Sequence, residues 1–185
     1  MSEDALWNKL EEIYSKEYKC GYCNNYVGNN KGYRDLSNKG YIYICPRCKK
    51  PTFFDKDNNQ YPGVLQGNAV LNIDDKNVED LYNEARRCFS VNSFTSVALC
   101  CRKLIMNVSV HLGADENKNF QYYVNWLDEK HYITPNSKLW VDQIRKIGNV
   151  ATHEIQIVSE DDAKKSLHFI EMLLKIVYEF PAMVK

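Results

Sequence analysis

A run of about 18 apolar residues, the minimum for a membrane-spanning helix, is missing from this sequence. Net charge is missing as well. With 24 Lys or Arg against 24 Asp or Glu, no global field draws the chain to nucleic acid or to a membrane surface, so any such attraction has to be local. The opening Met1-Ser2-Glu3-Asp4 lacks the basic and then apolar order of a secretory signal, and a cytoplasmic protein without membrane contact is expected. An even cysteine count, the mark of a closed disulfide framework, is absent too. Four of the seven cysteines fall in two CxxC pairs, which in a reducing compartment indicates metal rather than disulfides.

What is present suffices for one substantial core and a small satellite module, since 44% of the 185 residues are hydrophobic. The strongest signal is Cys20-Gly21-Tyr22-Cys23, then 21 intervening residues, then Cys45-Pro46-Arg47-Cys48. A tetrahedral zinc ion needs four thiolates converging from two tight turns, and Gly21 and Pro46 supply turn chemistry inside the two knuckles. Four cysteines fill the coordination shell and leave no place for an activated water, so one structural zinc is expected on Cys20, Cys23, Cys45 and Cys48. A thioredoxin-like redox reading fails because there are two pairs and no βαβ pattern around them. Tyr41-Ile42-Tyr43-Ile44 and Thr52-Phe53-Phe54 have strand composition on either side of the second knuckle, as in a zinc ribbon.

Between Lys19 and Tyr61 there are eight Lys or Arg and three Asp, an excess of five positive charges from which four zinc-bound thiolates subtract two. Lys19, Arg34, Arg47, Lys49 and Lys50, interleaved with Tyr22, Tyr26, Tyr33, Tyr41 and Tyr43, are candidates for tracking a nucleic-acid backbone and stacking its bases. The competing reading makes the tyrosines the core of a very small ribbon and the lysines its solvated rim.

The remainder reads as helical. Leu6, Leu10, Ile13 and Tyr14 recur at helical spacing, predicting a short amphipathic helix over residues 1–18. The ribbon follows over 19–61, a Gly-, Pro- and Asn-containing linker over 62–74, and a bundle over 75–185. Helices are expected over Asp75 to Val91, with Asn92-Ser93 offering the next cap, over Phe94 to Leu112 closed by Gly113, and over Asn119 to Lys130. A fourth opens at Thr134-Pro135, and a last begins at Ser159. The expected fold class is therefore mostly α: a five-helix bundle preceded by a short helix and a small β zinc ribbon. Cys88, Cys100 and Cys101 read as small core residues. His111, His131 and His168, each standing alone, read as structural.

On the helix opened at Pro135, at about 100° per residue, Trp140, Ile144, Ile147 and Ala151 share one face, and Arg145, Asn149 and His153 share the opposite one. That polar ridge suits a phosphate, or is simply a solvated face. Gly148 and Ala151 permit close approach of another helix, as in a dimer. Arg102, at the edge of its own helix's apolar face, either supports the ridge or snorkels to water.

The phrase Ser96-Val97-Ala98 leading into Arg102-Lys103-Leu104, followed by Arg145-x-x-Gly148-Asn149-x-Ala151-x-His153, resembles a bacterial domain of unknown function grouped among HEPN-like helical domains. Such domains occur alone or attached to restriction and other defence proteins, sometimes behind a zinc ribbon. The resemblance covers about residues 75 to 182. It implies a homodimer that is either a metal-independent RNase or an inactive adaptor within a larger defence complex. For an RNase it implies that His153 exchanges protons, Arg145 holds the phosphate charge, Asn149 orients one of them and Arg102 lends support. Nucleic acid and other defence-system proteins are the partners it suggests.

Overall fold

The structure is a computed structural model in which residues 7–37, 39–133, 145–146 and 157–184 are described. The chain divides into two compact units, Met1–Leu65 and Gln66–Lys185.

The first unit is a five-stranded antiparallel meander in which every strand pairs with its sequence neighbours. Its strands are β1 Glu11–Lys19, β2 Tyr26–Arg34, β3 Tyr41–Ile44, β4 Pro51–Phe54 and β5 Gln60–Tyr61. The amphipathic helix expected over residues 1–18 is thereby corrected: from Glu11 onward this segment is the edge strand β1, paired with β2. Leu6, used for the helical spacing, lies outside the described residues. The physical reason is a degeneracy of spacing. A four-residue step such as Leu10 to Tyr14 returns to one helix face, but it also returns to one strand face, because four is a multiple of two. The β-preferring Ile13, Tyr14 and Tyr18, and a partner edge on β2, decide for strand. An irregular register between Glu12 and Lys16 then separates Tyr14, 79% exposed, from Tyr18, which is buried.

Tyr18, Tyr43 and Phe54 form the aromatic heart of this sheet, with ring centroids 5.4 to 5.9 Å apart, packed against the buried Cys20 and Cys45. Gly32 on β2 faces Ile42 so closely that any Cβ would collide with the Ile42 carbonyl.

The second unit contains four helices among the described residues: α1 Lys76–Ser90, α2 Phe94–His111, α3 Phe120–Glu129 and α4 Glu160–Leu174. The π-helical Lys175–Glu179 and a last turn at Phe180–Met183 prolong α4. Pro181 has no N–H to offer, and just before it the Phe180 N–H reaches back to the Lys175 carbonyl. The fold expectation of five helices behind a short helix and a small ribbon is corrected to four described helices and a five-stranded sheet. The helix expected from Pro135 onward lies outside the described residues except for Arg145 and Lys146, which are helical.

Capping chemistry sets the helix boundaries. Asp75, Asn119 and Ser159 accept N–H bonds from Asn77, Tyr122 and Asp162 at the starts of α1, α3 and α4. Ser93 makes no side-chain cap bond at the start of α2. Instead Asn92, at φ 60°, closes α1 in a Schellman turn whose N–H bonds run from Asn92 to Phe89 and from Ser93 to Cys88. Gly113 at φ 106° closes α2 and His131 at φ 62° closes α3 with the same bond pair, Gly113 to Val110 and Ala114 to Ser109, then His131 to Asp128 and Tyr132 to Leu127. The core between the helices is apolar, with Val97, Leu104, Ile105, Leu127, Leu167, Ile170 and Leu173 each at most 1% exposed.

Part of the stretch expected to be a linker, 66–73, is strapped to α1 and α4. Glu171 accepts the Asn68 backbone N–H at 3.0 Å, the Asn68 side-chain amide at 2.9 Å and the Lys175 ammonium at 2.7 Å. Tyr82 donates to the Asn68 carbonyl, and Arg86 donates to the Gln66 and Gly67 carbonyls. Gly67 sits at φ 73°, where a Cβ would come within 3.0 Å of the Glu171 carboxylate. Burial alone would raise the Glu171 carboxyl, but Lys175 and the two Asn68 donors outweigh it and hold the group below its ordinary value.

Two outcomes follow. His131→Gly is expected to raise the melting temperature of the helical signal, corresponding to about 1 kcal/mol, because it removes a side chain from a left-handed position. Glu171→Gln is expected to destabilise by about 1–3 kcal/mol at neutral pH. A carboxyl depressed in the folded state contributes stability above its unfolded value of about 4.3 and loses it as pH falls through the lower folded value. Melting curves of variant and wild type should therefore converge on acidification.

Candidate metal centre

The two CxxC segments fold as two copies of one turn. In the first, the Asn24 N–H donates to the Cys20 carbonyl at 2.8 Å and the Cys20 N–H to the Asn25 carbonyl at 2.9 Å. In the second, Lys49 donates to Cys45 at 2.9 Å and Cys45 to Lys50 at 3.0 Å. The residue after the second cysteine of each pair is left-handed, Asn24 at φ 57° and Lys49 at φ 59°. This repetition points all four sulfurs to one place.

The four Sγ atoms lie within 4.8 Å of one another, with Cys20 to Cys48 at 3.7 Å and Cys23 to Cys45 at 3.8 Å. A tetrahedral ion bonded to sulfur at about 2.3 Å requires sulfurs about 3.8 Å apart, so the cluster has the size of a metal-thiolate shell. Its surroundings suit thiolates. The backbone amides of Cys23 and Tyr22 are directed at the Cys20 sulfur, that of Asn25 at Cys23 and that of Lys50 at Cys48, while the Asn25 side-chain amide donates to the Cys23 carbonyl at 2.7 Å. Burial pushes the Cys20 thiol up and carries Cys48 up to about 12. Burial opposes ionisation of Cys23 as well, but its donors, Asn25 foremost, bring it down to about 7. Without a cation, only part of such a cluster ionises; with one, all four sulfurs become ligands. Among the described residues this is the group of cysteine, histidine or acidic side chains with the geometry to hold a metal ion, and two of its four members are fully buried. The Tyr18 phenol lies beneath it, kept protonated by burial and by the adjacent Cys45.

The basic candidates of this unit divide. Lys50 Nζ stands 4.9 Å from the centroid of the Tyr22 ring, and Lys19 Nζ stands 5.7 Å from that of Tyr26. Arg47 is exposed at the tip of the second knuckle, and the Lys49 carbonyl accepts the Trp7 indole N–H at 2.8 Å. Arg34 belongs to the other end of β3, pairing in register with Tyr41 and ion-paired to Glu11 at 3.5 Å. The tyrosines divide too. Tyr43 is core, whereas Tyr22 and Tyr26 are 42% and 83% exposed. Asn25 escaped the sequence reading, although it stands two residues after Cys23 as Lys50 stands two after Cys48, the position from which an amide reaches a knuckle sulfur.

In the helical unit, Asn149 and His153 lie outside the described residues, as do Gly148 and Ala151. Arg145 donates to the Gln121 side-chain carbonyl at 3.2 Å. Arg102 lays its guanidinium 4.1 Å from the centroid of the Phe120 ring. Its Nη1 is buried without a hydrogen-bond partner among the described residues, and burial lowers its hold on the proton. Both arginines thus reach the first turn of α3. Cys88, Cys100 and Cys101 are thiols held protonated by burial, Cys100 up to about 12.

The family model described as a domain of unknown function, DUF4145, matches residues 83–185. The chain belongs to the DUF4145 family. No curated protein and no solved structure matches it. The DUF4145 match begins inside α1 and takes in Arg102 and Arg145, while the cysteine cluster lies ahead of it. No described helix is long and apolar enough to cross a membrane.

Cys45→Ser is expected to release the metal and unfold the sheet while leaving most of the helical far-ultraviolet signal, since the helices have a core of their own. Metal content and circular dichroism of the same preparation check both halves.

Proposed function

We propose that the four-cysteine centre holds one structural zinc ion and that the five-stranded sheet around it binds single-stranded nucleic acid at its knuckle end. Four thiolates on a tetrahedron leave no open position for a reacting water, which suits a structural zinc. The observation that carries the binding reading is the pairing of Lys50 with Tyr22 and of Lys19 with Tyr26 beside the cluster, with Arg47 exposed at the tip. An exposed ring with a lysine over it can exchange the lysine for a base and leave the ammonium to a phosphate, and such stacking contributes about 1–3 kcal/mol per base. In this reading the protein is a cytoplasmic, bacterial defence or toxin-type factor whose DUF4145 domain is HEPN-like and pairs with a second copy or with other defence proteins. The seven free cysteines fit a reducing compartment.

The arginines favour a further role for the helical unit. Arg102 and Arg145 at the first turn of α3 are two guanidinium groups suited to a phosphodiester. With His153 as general acid or base and Asn149 orienting it, this would be a metal-independent endoribonuclease; with the guanidiniums alone it is a recognition or adaptor surface.

Fluorescence anisotropy of short labelled oligonucleotides tests the first unit. Lys50→Glu and Tyr22→Ala are each expected to weaken binding at least about tenfold, and Lys50→Glu to flatten the salt slope by about 0.7. Unchanged affinity in both variants overturns the reading. For the ribonuclease, RNA cleavage in chelator should fall at least about a hundredfold in His153→Ala and Arg145→Ala. Wild-type protein that cleaves no RNA leaves the adaptor role.

A further inference from the structure

The first unit carries a second feature beside the cluster, on the flank of the second knuckle. A cavity of about 230 Å³ opens there, walled by Trp7, Leu10, Ile44 and Pro46. Drug-sized pockets run to roughly 300–1,000 Å³, so this one admits a single planar ring system. Its rigid parts are tied to the knuckle. The Trp7 indole N–H donates to the Lys49 carbonyl at 2.8 Å, and the Asn29 amide donates to the carbonyls of Ile44 at 2.6 Å and Lys31 at 2.7 Å. Those amide bonds spend Asn29 on structure. The Asn30 side-chain amide and the ammonium groups of Lys31 and Lys49, which also line the cavity, have no hydrogen-bond or ion-pair partner among the described residues.

The geometry points to a nucleobase pocket: one base of a bound strand inserts between Trp7 and Pro46, Asn30 reads its edge, and Lys31 and Lys49 hold the attached phosphate. The inference rests on the nucleic-acid reading of the first unit and adds to it a source of sequence preference. The chemistry of the lining selects this occupant. An indole face and a proline suit a flat ring, an aliphatic floor excludes water, and a carboxamide offers adjacent donor and acceptor groups to match a base edge. Two cations beside it match the phosphate and leave an apolar peptide side chain nothing to pair with them. The cavity also adjoins Pro46, whose neighbour Arg47 is exposed at the knuckle tip. A strand stacked on Tyr22 and crossing that tip could leave one base unstacked and turned inward.

The test uses the full zinc-loaded chain, with AMP, CMP, GMP and UMP as probes and nitrogen-edited NMR spectra as readout. At least one mononucleotide is expected to move the Trp7 indole and Asn30 amide resonances saturably. Leu10→Trp, which fills the cavity, is expected to abolish those shifts with metal content unchanged. Asn30→Ala is expected to erase a preference among the four bases of about tenfold. Should Leu10→Trp lose its metal, Leu10→Phe replaces it. Resonances unmoved by all four probes overturn the pocket, as do shifts induced by N-acetyl-tryptophanamide and by no nucleotide. An oligonucleotide that binds with perturbed Tyr22 and Lys50 signals but a silent pocket overturns the pocket and spares the nucleic-acid reading of the first unit. Mononucleotide shifts without salt-dependent oligonucleotide binding do the reverse.

Discussion

Four cysteine sulfurs within 4.8 Å of one another cannot all carry charge unless a cation lies among them, and the architecture of the first unit depends on that constraint. Charge repulsion would drive four thiolates apart, whereas a shared ion turns the same proximity into bonds. The sheet has little else to hold it. Its core is three aromatic rings and the buried cysteines themselves, with Ile13, Val27 and Tyr41 packed partly buried against them. The knuckles join β1 to β2 and β3 to β4, so an ion held by the four sulfurs would clamp both turns at once. The amides at Asn25 and Lys50 add to this by pointing partial positive charge at the sulfurs before any ion arrives.

The helical unit solves the opposite problem. Its core is ample, and what needs defining is where helices stop. Asn92, Gly113 and His131 each take a left-handed conformation that closes a helix with the same pair of backbone bonds. Only one of the three is glycine. Asparagine tolerates this conformation fairly well, but histidine adopts it at a cost, which the burial of Ile133 directly beyond the turn helps to offset. The strap at 66–73 adds a long-range tie, because Glu171 on α4 binds a backbone segment that precedes α1.

What was legible in the sequence was what is local. The CxxC spacing located the cluster because each knuckle is a turn of a few residues, and apolar periodicity located α1 to α4 because every turn of a packed helix must repeat it. Three features were not local. β1 looked helical because its four-residue spacing serves both geometries, and only the partner edge of β2 settles it. The strap read as linker because its anchors, Glu171 and Glu179, lie about a hundred residues downstream. The sequence likewise could not say which tyrosines form core and which face solvent: Tyr41 and Tyr43 share one face of β3, their rings 6.3 Å apart, yet only Tyr43 is buried, because burial depends on neighbours on other strands.

Charge is distributed as unevenly as the cores. The chain is neutral, yet the segment from Lys19 to Tyr61 carries eight Lys or Arg against three Asp, which leaves 16 Lys or Arg against 21 Asp or Glu for the rest. Arg102 and Arg145, which reach Phe120 and Gln121 at the first turn of α3, belong to that acidic remainder. A guanidinium laid over an aromatic face keeps its full charge while the ring covers one side of it, as Phe120 does for Arg102. At physiological salt the screening length is about 8 Å, so exposed charges act chiefly on groups close beside them. Lower salt lengthens that range and lets surpluses of opposite sign increasingly offset one another. A neutral chain with so uneven a charge distribution therefore steers a polyanion weakly from afar, and one that bound the first unit would have to be held at contact range, where ring stacking and base-edge hydrogen bonds, unlike simple charge, discriminate one strand from another.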